Sequence, residues 1–157
     1  MSETKTIYPT NTSASADDHA QVCATTQMSD PALMSGAALA YLGDAVMEVA
    51  IRRRLLDTGI SNAGRLSAMS LDYVRATAQS AGLEVLLPHL TEEEEAVYRR
   101  GRNAAGPHPK SATVNEYRRA TGLEALFGYL YLSGDTARLE ELADIYFLDR
   151  KKETDKE

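Results

Sequence analysis

The sequence of 157 residues predicts an all-α fold, because apolar residues recur at helical spacing and no alternating strand pattern persists along it. Two segments carry the clearest stripes, each with four apolar residues at helical spacing: Leu39, Leu42, Val46 and Val49, and Leu123, Leu126, Phe127 and Leu130. No apolar run is long enough to cross a membrane. The single cysteine, Cys23, excludes an intramolecular disulfide and fits a reducing, cytoplasmic compartment.

The predicted helices follow one another along the chain and are separated by turn residues. In order, they span about 31–56, 62–69, 71–80, 83–87, 92–99, the segment around Glu124, and 136–147. Thr91 with Glu94 forms a capping box that opens the fifth helix. A loop over 101–115, rich in glycine and proline, precedes the helix that contains Glu124.

Both ends of the chain have compositions unlike the rest. Residues 1–30 are rich in Ser, Thr, Ala and Asp and lack hydrophobic periodicity, which predicts a disordered leader. Residues 149–157 are charged and predict a frayed tail. The foldable part of the chain is therefore expected at 31–148, as one domain.

Two isolated acids on apolar helices are the candidate functional residues. Asp44 lies on a helix that is apolar nearly all round, beside Met47, Ile51 and Leu55, so we expect it to be buried. Glu124 interrupts an otherwise uncharged run that contains several small residues, which would let another helix approach closely. Packing of the two helices would bring the carboxylates together. They would repel unless one is protonated or a cation lies between them, and a hard divalent ion suits oxygen ligands.

The same acids have a structural alternative. A lone acid on an apolar helix is commonly paired with an arginine or caps a neighbouring helix, and the triplet Arg52-Arg53-Arg54 could supply such a partner. The histidines are scattered and no Cys or His has zinc-ligand spacing, which argues against a zinc site.

A basic segment stands out in an acidic chain. The formal net charge of the chain is −6, yet one segment of 21 residues has six basic side chains against one acid, Glu116. The basic residues are Arg99, Arg100, Arg102, Lys110, Arg118 and Arg119. Clustered positive charge is the electrostatic footprint expected of a phosphate-binding surface. The alternative is a solvated loop whose charges only maintain solubility.

Short motifs in these segments resemble a known family. Tyr-Leu-Gly-Asp-Ala-Val at 41–46, followed by Glu48, resembles the signature helix of ribonuclease III enzymes, and Leu-Glu-Ala-Leu-Phe-Gly at 123–128 resembles their second acidic helix. Arg-Gly-Arg-Asn-Ala at 100–104 and Tyr117-Arg118 look like the shorter branch, Mini-ribonuclease III. The resemblance covers about 31–148.

The resemblance implies a helical homodimer that cleaves double-stranded RNA with magnesium and without an organic cofactor. If the stripe of Leu39, Leu42, Val46 and Val49 faces the core, the apolar residues beyond it, Met47, Ile51 and Leu55, offer a surface for the dimer interface. Asp44 and Glu124 would be the catalytic residues and metal ligands, and Glu48 a supporting residue. The RNA-binding residues would be Arg99, Arg100, Arg102, Asn103, Lys110, Tyr117 and Arg118. The implied substrate is a duplex stem of the large (23S) ribosomal RNA precursor, either alone or within the ribosomal particle.

The sequence also departs from the longer ribonuclease III enzymes. Those enzymes have further acids at the positions of Ala40 and Thr121, so the implied site is reduced from four carboxylates to two. Magnesium commonly takes only one or two carboxylates and keeps several waters. No room is expected for a double-stranded RNA-binding domain. Two alternatives remain: a catalytically inactive RNA-binding or ribosome-associated module, and a protein-interaction domain that binds no RNA.

Overall fold

The computed structural model describes residues 30–156. The predicted leader at 1–30 lies outside them except for Asp30. Within the described part the chain forms helices and no strands, as the sequence predicts. The six α-helices of that part are α1 (Gly36–Asp57), α2 (Ala63–Val74), α3 (Ala76–Leu86), α4 (Glu92–Ala104), α5 (Val114–Leu132) and α6 (Thr136–Thr154). Short 3-10 turns precede α1 (Pro31–Leu33) and α4 (Leu87–His89).

Several helix ends differ from the predicted ones, and local capping explains most of them. Helix α1 begins at Gly36 rather than near 31, because the Ser35 side chain accepts a hydrogen bond from the Ala38 N–H. Arg75, with ψ of 147°, divides α2 from α3, so the break near Ser70 predicted from the sequence is wrong. The capping box of Thr91 with Glu94 is confirmed.

Two charged segments that were predicted to lie outside helices are helical. Helix α4 continues to Ala104, so Arg100, Arg102 and Asn103 lie on a helix and not in a loop. Helix α6 continues to Thr154, well into the segment predicted to be a frayed tail.

Helix α5 is central and packs against α1, α3 and α4. Where α5 contacts α1, the backbones of the two helices lie very close together. A Cβ atom added at Gly43 would lie 1.6 Å from the Glu124 carbonyl oxygen, and one added at Gly128 would lie 2.1 Å from the Leu39 carbonyl oxygen. Any side chain at either glycine would therefore push the two helices apart.

This approach determines which face of α1 is buried. Met47, Ile51 and Leu55 follow Gly43 at steps of four and are each 1% exposed, in the main core. The predicted interior stripe is instead partly outward, because Val49 is 68% exposed. The sequence predicted that the opposite face of α1 would be buried. A helix with apolar residues nearly all round does not indicate which of its faces packs inward. None of the described helices combines the length and hydrophobicity that crossing a membrane requires.

Candidate active site

Asp44 and Glu124 line the same open cleft, which has a volume of about 710 Å³. Helix α1 contributes Asp44 and Ala40, and α5 contributes Glu124, Thr121 and Tyr117. The backbone approach at Gly43 explains the convergence, because Gly43 precedes Asp44 and contacts the carbonyl group of Glu124 itself. The packing expected from the small residues beside both acids is thus present.

The two acids have different environments. Glu124 is largely buried, and burial, followed by the negative charge of Asp44, raises its pKa from 4.5 to about 7. Asp44 is exposed, so the prediction that little water reaches it is wrong for the single chain. Its pKa is still raised, by partial desolvation of the carboxylate and then by the charge of Glu48.

The arginine triplet does not neutralise either acid. Arg52 pairs with Glu48 on α1, while Arg53 and Arg54 both pair with Glu140 on α6. Arg54 also donates to Asp144, with its Nε 2.9 Å from Oδ1. The structural alternative, in which this triplet supplies the partner of Asp44, is therefore wrong.

One polar residue of the site, Gln79, was not predicted from the sequence. It lies on the first turn of α3 and is 1% exposed, and its Nε2 donates to Glu124 Oε1 at 3.2 Å. This bond lowers the pKa of Glu124, against the larger effects of burial and Asp44. No signal in the sequence distinguished Gln79 from Thr77, Ser80 and Glu84, the other polar residues of this helix. The break at Arg75 that directs it toward Glu124 was not predicted.

The two positions at which the resemblance to longer ribonuclease III enzymes implies further acids add no charge to the cleft. Ala40 and Thr121 are both buried, and the Thr121 hydroxyl donates to the Tyr117 carbonyl oxygen at 2.9 Å. Among the described residues, no group of three or more His, Cys, Asp or Glu side chains could hold a metal ion. The site thus consists of two carboxylates and one amide.

The predicted RNA-binding residues divide into engaged and available side chains. Arg99 pairs with Glu95, and Arg100 donates to the carbonyl oxygens of Ala32 and Pro31 at 2.6 and 3.4 Å. These two arginines therefore have structural contacts.

Other members of the set are free of ion pairs with the described residues. Arg102 and Arg118 flank a hollow of about 380 Å³ beside the start of α5, and Arg102 lies 5.9 Å from the centre of the Tyr98 ring. Arg118 donates from Nε to the Arg102 carbonyl oxygen at 3.4 Å and is otherwise exposed. Lys110 and Asn103 are exposed, and Tyr117 is half-buried in the acid cleft. Basic groups able to meet phosphates thus lie on α4, on α5 and in the loop between them.

Replacing Glu124 with glutamine should stabilise the metal-free protein at pH 8 and leave its stability at pH 4 nearly unchanged. Because the folded-state pKa of about 7 lies above the ordinary value of 4.5, the folded protein binds the proton more tightly, and stability is lost as pH rises through this window. The amide cannot ionise, and it should raise the free energy of unfolding at pH 8 by up to about 3 kcal/mol. Urea unfolding in EDTA at both pH values measures the difference. An equal effect of the substitution at the two pH values would contradict this expectation.

Comparison with known proteins identifies the family. A family model described as the ribonuclease III domain matches residues 37–135. A Mini-ribonuclease 3 of Symbiobacterium thermophilum is 50% identical over 117 residues, which are 74% of this chain and 90% of that protein. A Mini-ribonuclease 3 of Enterococcus faecalis is 46% identical over 118 residues, or 73% of this chain and 89% of that protein.

A solved structure agrees with these matches. A crystal structure of a protein from Fusobacterium nucleatum has a TM-score of 0.66 and 34% identity, and the match covers 72% of this chain and 91% of that one. The chain belongs to the ribonuclease III family, in its Mini-ribonuclease III branch, and is an endoribonuclease of that family.

Proposed function

We propose that this endoribonuclease hydrolyses phosphodiester bonds of double-stranded RNA, with Asp44 and Glu124 as catalytic residues that hold a magnesium ion. The observation that carries the proposal is the convergence of two carboxylates in one cleft without a cationic side chain between them. Burial and, after it, the repulsion from Asp44 raise the pKa of Glu124 to about 7. A bound cation would remove that repulsion.

The donor set fits magnesium. Two carboxylates from the protein, with water completing the coordination, is the arrangement that this hard ion commonly takes. Bound there, magnesium would supply an activated water and neutralise charge on the phosphate. The chain itself contributes the orientation of Glu124 through Gln79, and an open cleft that admits a phosphodiester backbone.

The available basic side chains support a duplex RNA substrate. Arg102 and Arg118 flank a hollow at the start of α5, the helix that carries Glu124, and Lys110 lies in the loop four positions before that helix. Duplex RNA is recognised largely through its shape, phosphates and 2′-hydroxyls, for which such flexible cations suffice. We assign to these three residues most of the phosphate contacts. Arg99, Arg100, Asn103 and Tyr117 would act in the same surface, with Arg100 also bracing the start of the described chain.

We further propose that the enzyme is a homodimer, since two strands of a duplex need two sites. A groove of about 340 Å³ on α1 is lined by apolar groups that include Leu42, Val46 and Val49, with Tyr131 and Leu139 opposite. This groove replaces Met47, Ile51 and Leu55 as the proposed interface, because those residues are buried in the core. A second copy would cover apolar surface that the single chain leaves in water.

The cellular substrate is proposed to be a duplex stem of the large (23S) ribosomal RNA precursor, cut in the cytoplasm. The support is membership of the Mini-ribonuclease III branch, because the resemblance of the sequence to that branch implies this substrate. The alternative of a catalytically inactive RNA-binding module is disfavoured, because both carboxylates are present in the same cleft.

Asp44→Asn and Glu124→Gln should each reduce magnesium-dependent cleavage of a duplex RNA by at least about a thousandfold while the protein stays folded. Either change keeps the size of the side chain and removes a charge that a divalent ion needs. Single-turnover cleavage with a labelled duplex, beside circular dichroism, measures both effects.

Asp57→Asn, an exposed acid at the other end of α1, is the matched control and should cleave normally. Near wild-type cleavage by either site variant would show that its carboxylate is not a required ligand.

Neutralising Arg102, Lys110 and Arg118 together to glutamine should weaken RNA binding regardless of sequence. Because each phosphate contact releases condensed counterions, the slope of log affinity against log salt should become shallower by roughly 2–3 units. Filter binding over a salt series, with EDTA to prevent cleavage, measures the slope. The matched triple variant Arg65, Lys151 and Lys152 to glutamine changes the net charge equally and should retain the slope. Equal losses in both triples would mean that net charge, and not this surface, governs binding.

Val49→Glu should convert the protein to a monomer at micromolar concentration, because it puts a charge into the apolar groove. Sedimentation velocity of the variant and the wild type measures the change. Leu71→Glu, at another exposed apolar side chain, serves as the control and should stay dimeric. A wild-type protein that sediments as a monomer and still cleaves both strands would refute the proposed dimer.

A further inference from the structure

We propose that Gln79 is a positioning residue that orients the Glu124 carboxylate for the cation, an inference that rests on the proposed function. Gln79 binds one oxygen of that carboxylate and leaves the other for the ligand. It stands one helix behind the cleft and does not line it.

The orientation of the Gln79 amide is determined by its two partners. Nε2 donates to Glu124 Oε1 at 3.2 Å and to the Val74 carbonyl oxygen at 3.1 Å. Both partners are acceptors, so a flipped amide would put its carbonyl oxygen against a carbonyl and a carboxylate. Both hydrogens of the amide are therefore used, and one is directed at Glu124.

The second partner anchors the amide to the main chain. Val74 is the last residue of α2, and the break at Arg75 leaves its carbonyl group available to a side chain. Gln79 thus joins the end of α2 to the acid on α5. Because it is buried, its side chain has little freedom to move away.

Packing alone does not account for a glutamine at this position. Its Oε1 is a buried acceptor without a partner among the described residues. Such an atom is costly, and a methionine of similar length would fill the same space without that cost. The contacts that an apolar residue could not replace are the donations to the Val74 carbonyl oxygen and to Glu124, and only the second involves a residue of the cleft.

The two oxygens of Glu124 are thereby made unequal. Oε1 accepts from Gln79, while Oε2 has no hydrogen bond from the described residues. Oε2 is not fully enclosed by the protein, and Glu124 lines the cleft, so Oε2 is the oxygen available to a ligand there. A carboxylate held at one oxygen presents the other in a restricted direction, as residues behind metal ligands commonly arrange.

The test is a Gln79→Met variant, which keeps the size and removes the donor. The magnesium concentration for half-maximal cleavage should rise at least about tenfold, and cleavage at saturating magnesium should approach the wild-type rate. The affinity for Mn²⁺ without RNA, measured from the free-ion signal in electron paramagnetic resonance, should fall by a similar factor. RNA affinity in EDTA should stay within about twofold of wild type. Ser80→Ala, at a buried polar neighbour that does not contact Glu124, is the control and should change none of these values.

A folded Gln79→Met variant with wild-type dependence on both ions would overturn the proposal. If that variant does not fold, Gln79→Asn replaces it, because it keeps an amide but is one methylene too short to span both acceptors. Gln79→Asn should show the same loss of ion affinity. Wild-type ion dependence of Gln79→Asn would overturn the proposal equally. Glu124→Gln, measured in parallel, separates the two hypotheses. Cleavage by Glu124→Gln would refute the proposed function, whereas an inactive Glu124→Gln beside a normal Gln79→Met would refute the positioning role alone.

Discussion

The near-contact of the α1 and α5 backbones is the constraint on which the rest of the structure depends. Gly43 and Gly128 remove the side chains that would otherwise separate the helices, and the resulting approach is too close for even a Cβ atom. With that approach in place, Met47 and Ile51 must face the core, and Asp44 must stand at the edge of the cleft that Glu124 lines. The two glycines thus determine both the core and the site. The crossing of α1 and α5 decides which face of α1 is buried and how far apart the two acids lie.

Two buried charged residues elsewhere in the described part of the chain, Glu94 and Arg54, are neutralised by ion pairs in a way that the two acids are not. Glu94 receives two hydrogen bonds from Arg138, at 2.8 and 2.9 Å, and the pKa of Glu94 is lowered chiefly by them. Arg54 is similarly held by acids on α6. These pairs tie α6 to α4 and to α1. The same fold leaves Asp44 and Glu124 facing a cleft with an amide as the single protein donor, so the repulsion there is a property of the site and not a general feature of the molecule.

The sequence predicted what depends on local pattern and missed what depends on tertiary contact. Both acids, the capping box at Thr91 and the all-helical class follow from spacing and side-chain chemistry. The buried face of α1 could not be predicted in this way, because α1 has apolar residues on nearly all sides. Only the packing of Gly43 against α5 decides which of its faces is buried. Gln79 was missed for a related reason: its reach to Glu124 depends on the break at Arg75, which no glycine or proline marks. The structural role of Arg100 depends on carbonyl groups 68 and 69 positions earlier in the chain, a relation that a local pattern cannot contain.

The acid cleft and the apolar groove on α1 are neighbouring surfaces, since Leu42 and Ala45 line both. A second copy seated on the groove, as proposed, would therefore border the cleft and remove water from its edge. Asp44 is exposed in the single chain, and its environment is the one most sensitive to such a neighbour. Desolvation strengthens the repulsion between two carboxylates and also their attraction for a cation. Dimerisation would then do more than provide two sites for two strands, because it would increase the electrostatic gain from binding the ion at each site.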